Sequence, residues 1–177
     1  MKVLVLCGSP HKNGTTNALA DAFIEGVGSE HTVEKVHVAK MKITPCLGCN
    51  YCKNNNDTCV HKDDMVDLAE QILAANVLVF VSPLYYFSFT AQLKAVIDRF
   101  YMVNKKLIAQ KKKCILLSAG ADKDDWAMDG IRATYATMLR YLGWTSLGDV
   151  CALASGTKEA LAETGYPEMA KVLGRSL

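Results

Sequence analysis

Four cysteines lie close together in one short stretch of this 177-residue chain, at Cys46, Cys49, Cys52 and Cys59. Their spacing is C-x2-C-x2-C-x6-C. The first three cysteines are three residues apart, and a polar excursion of six residues separates the third from the fourth. Three thiolates spaced in this way can bind three corners of an iron–sulfur cubane, and the excursion can fold back to supply the fourth ligand. Zinc ribbons instead pair two C-x2-C knuckles across a longer spacer. The spacing therefore favours a [4Fe-4S] cluster, and a zinc site, a labile disulfide and free thiols are the alternatives.

A second stretch contains residue types that could bind a ligand. It is residues 8–17, which follow the first apolar run and read GSPHKNGTTN. Hydroxyls, an amide and glycines at the start of a helix offer backbone N–H groups and the positive end of the helix dipole to a phosphate. No lysine follows Gly14, so this is not a P-loop, and it is not the G-x-G-x-x-G fingerprint. Asn13 stands where a Cys-x5-Arg phosphatase would need its arginine. We expect this stretch to bind a phosphate group, and the simpler alternative is a polar turn.

A third stretch, residues 82–90, reads SPLYYFSFT and places two tyrosines and two phenylalanines in a predicted loop. Exposed aromatic side chains are unfavourable unless something flat and apolar covers them. A flavin ring and a neighbouring subunit are the two candidates for that cover, and the sequence is compatible with both.

Five short apolar runs predict the strands that must position these stretches. Between them, apolar residues spaced three or four apart predict helices, the first two capped by Thr15–Thr16 and Asp63–Asp64. Regular alternation of strand and helix predicts an α/β fold, a doubly wound five-stranded parallel sheet with helices on both faces. The strand-to-helix loops then share one edge of the sheet, where function is expected. The predicted strands are residues 2–7, 32–38, 77–82, 113–119 and 146–152, and residues 40–62 form one long loop.

Charge and length exclude several classes of function. Lys plus Arg number 20 and Asp plus Glu 18, a net charge of +2, which does not favour a nucleic-acid or anionic-membrane surface. The apolar start at residues 3–7 is too short for a signal peptide or a membrane span. We therefore expect a cytoplasmic protein with a single domain over residues 1–177 and no second nucleotide-binding module.

These motifs, with QLKAVIDR at residues 92–99, resemble the NADPH-dependent FMN reductase family, and within it the iron-sulfur flavoproteins. The resemblance implies a flavodoxin-like fold that binds FMN non-covalently and assembles as a homodimer or homotetramer. His11 and Thr15 depart from the Arg and Asn that are frequent in the family. The implied cofactor-binding residues are Ser9, His11, Asn13, Thr15, Thr16 and Asn17 at the phosphate, and Pro83, Leu84, Tyr85, Tyr86, Ala119 and Gly120 at the ring.

The predicted activity is that of an FMN-dependent oxidoreductase with NAD(P)H as a transient electron donor. A nicotinamide gives two electrons as a hydride and an iron–sulfur cluster passes one at a time, whereas FMN does both. This chemistry requires no acid or base from the protein, so no catalytic side chain is predicted. A small molecule or a ferredoxin would accept or supply the electrons. The alternatives are a flavodoxin-type carrier without turnover and a zinc-bearing interaction module.

Overall fold

The five predicted strands form one parallel sheet in a computed structural model that describes residues 1–177. The order across the sheet is β2-β1-β3-β4-β5, with every neighbouring pair parallel. This is the flavodoxin-like order, in which the direction of winding reverses between β1 and β3. The predicted fold class is confirmed. The strands are β1 (Lys2–Cys7), β2 (Thr32–Val36), β3 (Val77–Pro83), β4 (Lys113–Ala119) and β5 (Thr145–Ala152).

Eight helices connect and cover the strands. Three short 3-10 turns, Val38–Lys40, Phe100–Val103 and Asp125–Met128, lie between them. The helices are α1 (Thr15–Val27), α2 (Tyr51–Asn54), α3 (Met65–Ala74), α4 (Ala91–Arg99), α5 (Asn104–Ala109), α6 (Asp129–Leu142), α7 (Lys158–Ala162) and α8 (Tyr166–Arg175).

Two hydrophobic layers lie on opposite faces of the sheet. Side chains alternate along a strand, so Leu4 of β1 contributes to the layer beneath α3, α4 and α6, while Val5 contributes to the layer beneath α1 and α8. The central strands β1, β3 and β4 are almost completely buried because both of their faces are covered. Their continuous apolar runs in the sequence reflect this double cover.

The structure differs from the expectations at several boundaries. Strand β2 ends at Val36, and the 3-10 turn that follows takes the place of its predicted last residues. Helix α1 is preceded by Gly14, and no side chain caps it, so Thr15 and Thr16 are its first residues. The predicted long loop at 40–62 contains the short helix α2, which starts after Asn50 in the left-handed conformation, at φ 58°.

Candidate functional site

The loops after β1 and β3 are joined by hydrogen bonds at the carboxyl edge of the sheet. The Thr90 hydroxyl donates to the Gly8 carbonyl oxygen at 2.8 Å, and the Thr90 amide donates to Ser82 Oγ at 3.0 Å. Thr90 also accepts from the Leu93 amide and so caps α4. A Cβ atom on Gly8 would stand 2.7 Å from Leu93 Cβ and 2.8 Å from Thr90 Oγ1. Only glycine fits at this position with the two loops as they are.

Unpaired backbone amides converge at the start of α1. In the turn before the helix, the His11 amide donates to Ser9 Oγ and the Gly14 amide to the His11 carbonyl oxygen. The other amides of this loop donate no hydrogen bond within the chain. Free N–H groups at the amino end of a thirteen-residue helix make a site for an anion. The free amides belong to Ser9, Lys12, Asn13, Thr15 and Thr16.

Two buried side chains behind these amides also have unused oxygen atoms. Asn17 Nδ2 donates to the His11 carbonyl oxygen at 2.9 Å, which holds the loop in place. Asn17 Oδ1 and Thr16 Oγ1 are buried without a partner. Thr16 lines the cavity in front of the loop, whereas Asn17 does not. Asn17 thus holds the loop from behind, and its contact with a phosphate stays a prediction.

The cavity at this edge has a volume of about 790 Å³ and is enclosed by the loops after β1, β3, β4 and β5. Ten of the twelve predicted cofactor-binding residues line it, and Asn17 and Tyr86 do not. The stretch around Ser155 and Gly156 is one of the strand-to-helix loops expected at this edge, but none of its residues is among the predicted cofactor-binding residues. The missed lining residues are Lys12, Gly14, Ala121, Ser155, Gly156, Thr157, Lys158 and Glu159.

The aromatic loop beside the cavity forms a tight hairpin. Tyr85 and Ser88 exchange backbone hydrogen bonds of 3.1 and 3.2 Å. The two residues at its tip, Tyr86 and Phe87, have positive φ angles of 44° and 63°. Such angles are strained for aromatic residues and are found most often at functional sites. Tyr86 is 98% exposed, while Phe87 packs against Trp126 with ring centroids 5.3 Å apart.

All four cysteines of the 46–59 stretch line a second, much smaller cavity of about 20 Å³ beside Arg99. Cys46 and Cys49 are exposed, and Cys52 and Cys59 are half-buried. No three His, Cys, Asp or Glu side chains of the chain stand together as the ligands of a single ion would. A cubane binds each cysteine through a different iron, so its ligands are spread more widely than those of one ion. The four thiols supply the donor set of a cubane, but the space between them is about 20 Å³, room for roughly one water, so the cysteine stretch would have to move outward to admit a cluster.

An ion pair holds the two ends of the cysteine stretch together. Arg99 is 1% exposed and donates to both carboxylate oxygens of Asp63, at 2.9 and 3.2 Å, and to the Thr44 carbonyl oxygen at 2.8 Å. The Thr44 amide in turn donates to Asp63. Partial burial opposes ionisation of Asp63, but the bonds from Arg99 and Thr44 outweigh it and lower the pKa of the carboxyl.

The predicted capping role of the Asp63–Asp64 pair is therefore wrong in its main part. The Asp63 carboxylate is used chiefly by Arg99 and Thr44, and its bond to the Met65 amide, at 3.3 Å, is the longest it accepts. Asp64 precedes α3 without a side-chain bond to the helix, and it accepts from the Lys42 amide at 2.7 Å. Both carboxylates thus fasten the chain before the cysteines to the chain after them.

Residues 1–158 match the family model described as NADPH-dependent FMN reductase. The chain belongs to this family. An iron-sulfur flavoprotein of Archaeoglobus fulgidus is 38% identical over 100 residues, which are 56% of this chain and 45% of the relative. An iron-sulfur flavoprotein of Methanosarcina thermophila is 32% identical over 127 residues, 70% of this chain and 65% of the relative. The chain spans about half the length of several such relatives of the FMN reductase family.

Solved structures share the fold of this FMN reductase family member at low sequence identity. An azoreductase from Bacillus anthracis superposes with a TM-score of 0.76 at 17% identity and covers 100% of both chains. The NAD(P)H:quinone oxidoreductase of Methanothermobacter marburgensis superposes with a TM-score of 0.77 at 18% identity, over 99% of this chain and 95% of that one. These likenesses agree with the strand order of the sheet. No helix here combines the length and apolar character needed to cross a membrane.

Proposed function

We propose that the cavity at the carboxyl edge binds FMN, with the phosphate at the amino end of α1. The observation that carries this proposal is the set of five unpaired amides in residues 9–16, backed by the unpartnered hydroxyl of Thr16. A phosphate brings several acceptor oxygens and a negative charge, which the amides and the helix dipole both favour. Family membership supports the same cofactor.

The isoalloxazine ring would lie between the loops after β3 and β4. Pro83, Leu84 and Tyr85 form one wall of the cavity, and Ala119 and Gly120 form another. The Leu84 amide donates to the Ala119 carbonyl oxygen at 2.9 Å, so the two walls are fixed relative to each other. Apolar walls exclude water from a flat ring and hold it in one orientation.

The activity that we propose is transfer of electrons from NAD(P)H to a second substrate. FMN, when bound, would supply the capacity to take a hydride from a nicotinamide and to pass electrons on singly or in pairs. The chain contributes orientation, backbone hydrogen bonds and exclusion of water, and no side chain of it acts as acid or base. Nicotinamide and acceptor would use the open side of the cavity in turn, because one cavity serves both. Ping-pong kinetics would follow.

We further propose that Cys46, Cys49, Cys52 and Cys59 bind a [4Fe-4S] cluster that exchanges single electrons with a partner such as a ferredoxin. Their shared cavity supports this, and so do the names of the relatives from Archaeoglobus fulgidus and Methanosarcina thermophila. A homodimer or homotetramer is the proposed assembly, because the half-exposed aromatic side chains of Tyr85 and Phe87 and the fully exposed Tyr86 would find cover at a subunit contact.

The deciding experiment is anaerobic purification of the full chain followed by absorption spectroscopy, metal and sulfide analysis, and assays with NADH and NADPH. Bound flavin, iron with acid-labile sulfide, and steady NAD(P)H oxidation are the expected results. Flavin that is reduced reversibly by ferredoxin but never turned over by NAD(P)H would indicate a carrier. Zinc without iron or sulfide would refute the cluster, and failure to quench the fluorescence of added FMN would refute the cofactor assignment.

A further inference from the structure

Four of the buried polar side-chain atoms without a hydrogen-bond partner lie at the two proposed sites, and the others belong to His37, Gln71, Gln110 and Ser118. Eight such side-chain atoms occur in all. Thr16 and Asn17 supply two of them at the proposed phosphate site, and Arg99 Nε and His61 Nε2 supply two more in residues that line the cysteine cavity. Native proteins pair nearly all of their buried polar atoms, so an unpaired set in one place indicates a missing partner. The proposed phosphate accounts for the first pair, and the second requires another partner.

The arginine at the cysteine cavity is held in place by its outer nitrogens. Nη1 donates to Thr44 and Asp63, and Nη2 donates to Asp63. These bonds fix the plane of the guanidinium group. Because the whole group is planar, they also fix the direction of its Nε–H bond. Only Nε has no acceptor, although the whole residue is 1% exposed. Because Arg99 also lines the cysteine cavity, this buried and fixed donor is the group of the chain that an acceptor held there could use.

We propose that Arg99 is the positioning residue of the four-cysteine site, supplying a fixed positive charge and an Nε hydrogen bond to its sulfur atoms. The inference rests on the proposed cluster and goes beyond it by naming what sets its reduction potential. Thiolate and sulfide sulfurs are anionic and accept hydrogen bonds. Adding one electron to the cluster adds one negative charge to a group that is already negative. The Nε donor favours the reduced form and raises the potential, and the guanidinium charge adds to this in part, since its ion pair with Asp63 offsets some of that charge.

Other charges near the cysteines are less well placed for this effect. Lys53 follows Cys52 directly, but its ammonium group is exposed and stands 4.7 Å from the centroid of the Tyr101 ring. Lys106 is exposed and paired with Asp57 at 3.0 Å. Water screens both of these cations, whereas Arg99 is shielded from it. Asp63 binds the outer edge of the guanidinium and is not among the residues that line the cavity.

The test compares cluster potentials in wild type, Arg99→Gln, Arg99→Lys and the exposed matched control Lys53→Met. Each protein is purified anaerobically as the holoprotein, its iron and sulfide are counted, and it is titrated with dithionite while electron paramagnetic resonance follows the reduced cluster. Arg99→Gln should lower the equilibrium constant for one-electron reduction at least tenfold, about 59 mV. Arg99→Lys keeps a charge but lacks the Nε donor, so it should shift the potential less, and Lys53→Met least.

The outcomes separate this inference from the proposed cluster. If Arg99→Gln loses the cluster during purification, Arg99→Lys carries the test because its ammonium group still pairs with Asp63. A cluster-loaded Arg99→Lys or Arg99→Gln protein with the wild-type potential would overturn the inference and leave the cluster proposal standing. A Lys53→Met shift as large as that of Arg99→Gln would also overturn it. Wild type that contains FMN but neither iron nor sulfide would refute both proposals.

Discussion

Thr90 Oγ1 lies 2.8 Å from the carbonyl oxygen of Gly8, and this hydrogen bond joins the amino end of α4 to the loop that follows β1. The bond is buried, and its two residues are 82 positions apart in the chain. Because Thr90 is also the N-cap of α4, one side chain fixes both the start of a helix and the entrance to the proposed phosphate site. The atoms packed around Gly8 leave no room for a side chain at this position.

Gly8→Ala should therefore destabilise the fold and weaken FMN binding together. Its Cβ would stand 2.7 Å from Leu93 Cβ, a contact that forces α4 to move. Overpacking of this kind costs about 1–3 kcal/mol in the free energy of unfolding. Urea unfolding of the apoprotein and FMN titration measure the two effects. Gly165→Ala is the matched control, because nothing lies within 4 Å of its added methyl group and its stability should change little. Equal stability of both variants would contradict this account.

Thr16→Val should weaken binding of FMN while leaving binding of riboflavin unchanged. The Thr16 hydroxyl is buried and unpaired in the absence of ligand, and a charge-assisted bond to phosphate is worth roughly 1.5–3 kcal/mol, or about tenfold or more in Kd. Fluorescence quenching with each ligand gives the two constants. Thr134→Val, at a surface hydroxyl that donates to its own helix, is the control. A parallel loss of riboflavin affinity would place the hydroxyl away from the phosphate.

The buried ammonium group of Lys112 should make the free energy of unfolding depend on pH. Burial lowers the pKa of its ammonium group from 10.5 to about 8, and the amine donates to the Leu73 and Ala75 carbonyl oxygens at the end of α3. Between these two pKa values the unfolded chain binds more protons than the folded one, so the contribution of Lys112 to stability rises with pH. The free energy of unfolding of wild type minus that of Lys112→Met should therefore increase from pH 7.5 to pH values of about 9.5.

The stability of wild type must be compared with that of Lys112→Met at each pH, because the buried thiols make stability fall, not rise, as the pH increases. Burial raises the pKa of Cys7, Cys114 and Cys151 from 9.0 to about 12. The unfolded chain releases these protons first, so their contribution to stability falls as the pH rises above about 9. All three thiols are present in both proteins, and their effect cancels in the difference. Lys111→Met, one residue away and exposed, is the control; a flat difference for Lys112→Met would refute the prediction.

Tyr86→Asn should raise stability and, because a strained aromatic residue beside a cavity is most often functional, lower turnover. The tyrosine is 98% exposed and has a φ of 44°, a conformation that asparagine adopts more readily. Relief of this strain should add up to about 1 kcal/mol to the free energy of unfolding. Thermal unfolding and NAD(P)H oxidation give the two readouts. Tyr141→Asn, at an exposed helical tyrosine, should not stabilise. If Tyr86→Asn keeps full turnover, the aromatic group has no part in the reaction.

The sequence predicts well the strands of the sheet and the edge at which the loops meet, because both follow from the order of apolar and polar residues along the chain. The strands β1, β3 and β4 are covered on both faces, and such strands read as continuous apolar runs. Their parallel order places the following loops at one edge, which is why ten of the twelve predicted residues line the cavity. The residues at 155–159 belong to that edge too, but they carry no distinctive motif of their own.

The features that it missed depend on contacts between distant parts of the chain. Asp63 looks like a helix cap in the sequence, yet its main partner is Arg99, 36 residues away. The type of Tyr86 predicts a place at the flavin, and that stays a prediction, but the sequence does not show that the hairpin between Tyr85 and Ser88 turns its side chain to solvent. No local signal in either case reports which partner or which direction the fold selects.

Helix α4 connects the proposed phosphate site with the four-cysteine site. It begins at the residue that holds the Gly8 loop and ends at Arg99 beside the cysteines. Nine residues at 1.5 Å per residue make a helix of about 14 Å, held by a buried hydrogen bond at Thr90 and a part-buried one at Arg99. The length of this helix therefore sets the separation between Thr90 and Arg99. One continuous helix thus runs from the loop that would bind the phosphate to the arginine that lines the cysteine cavity.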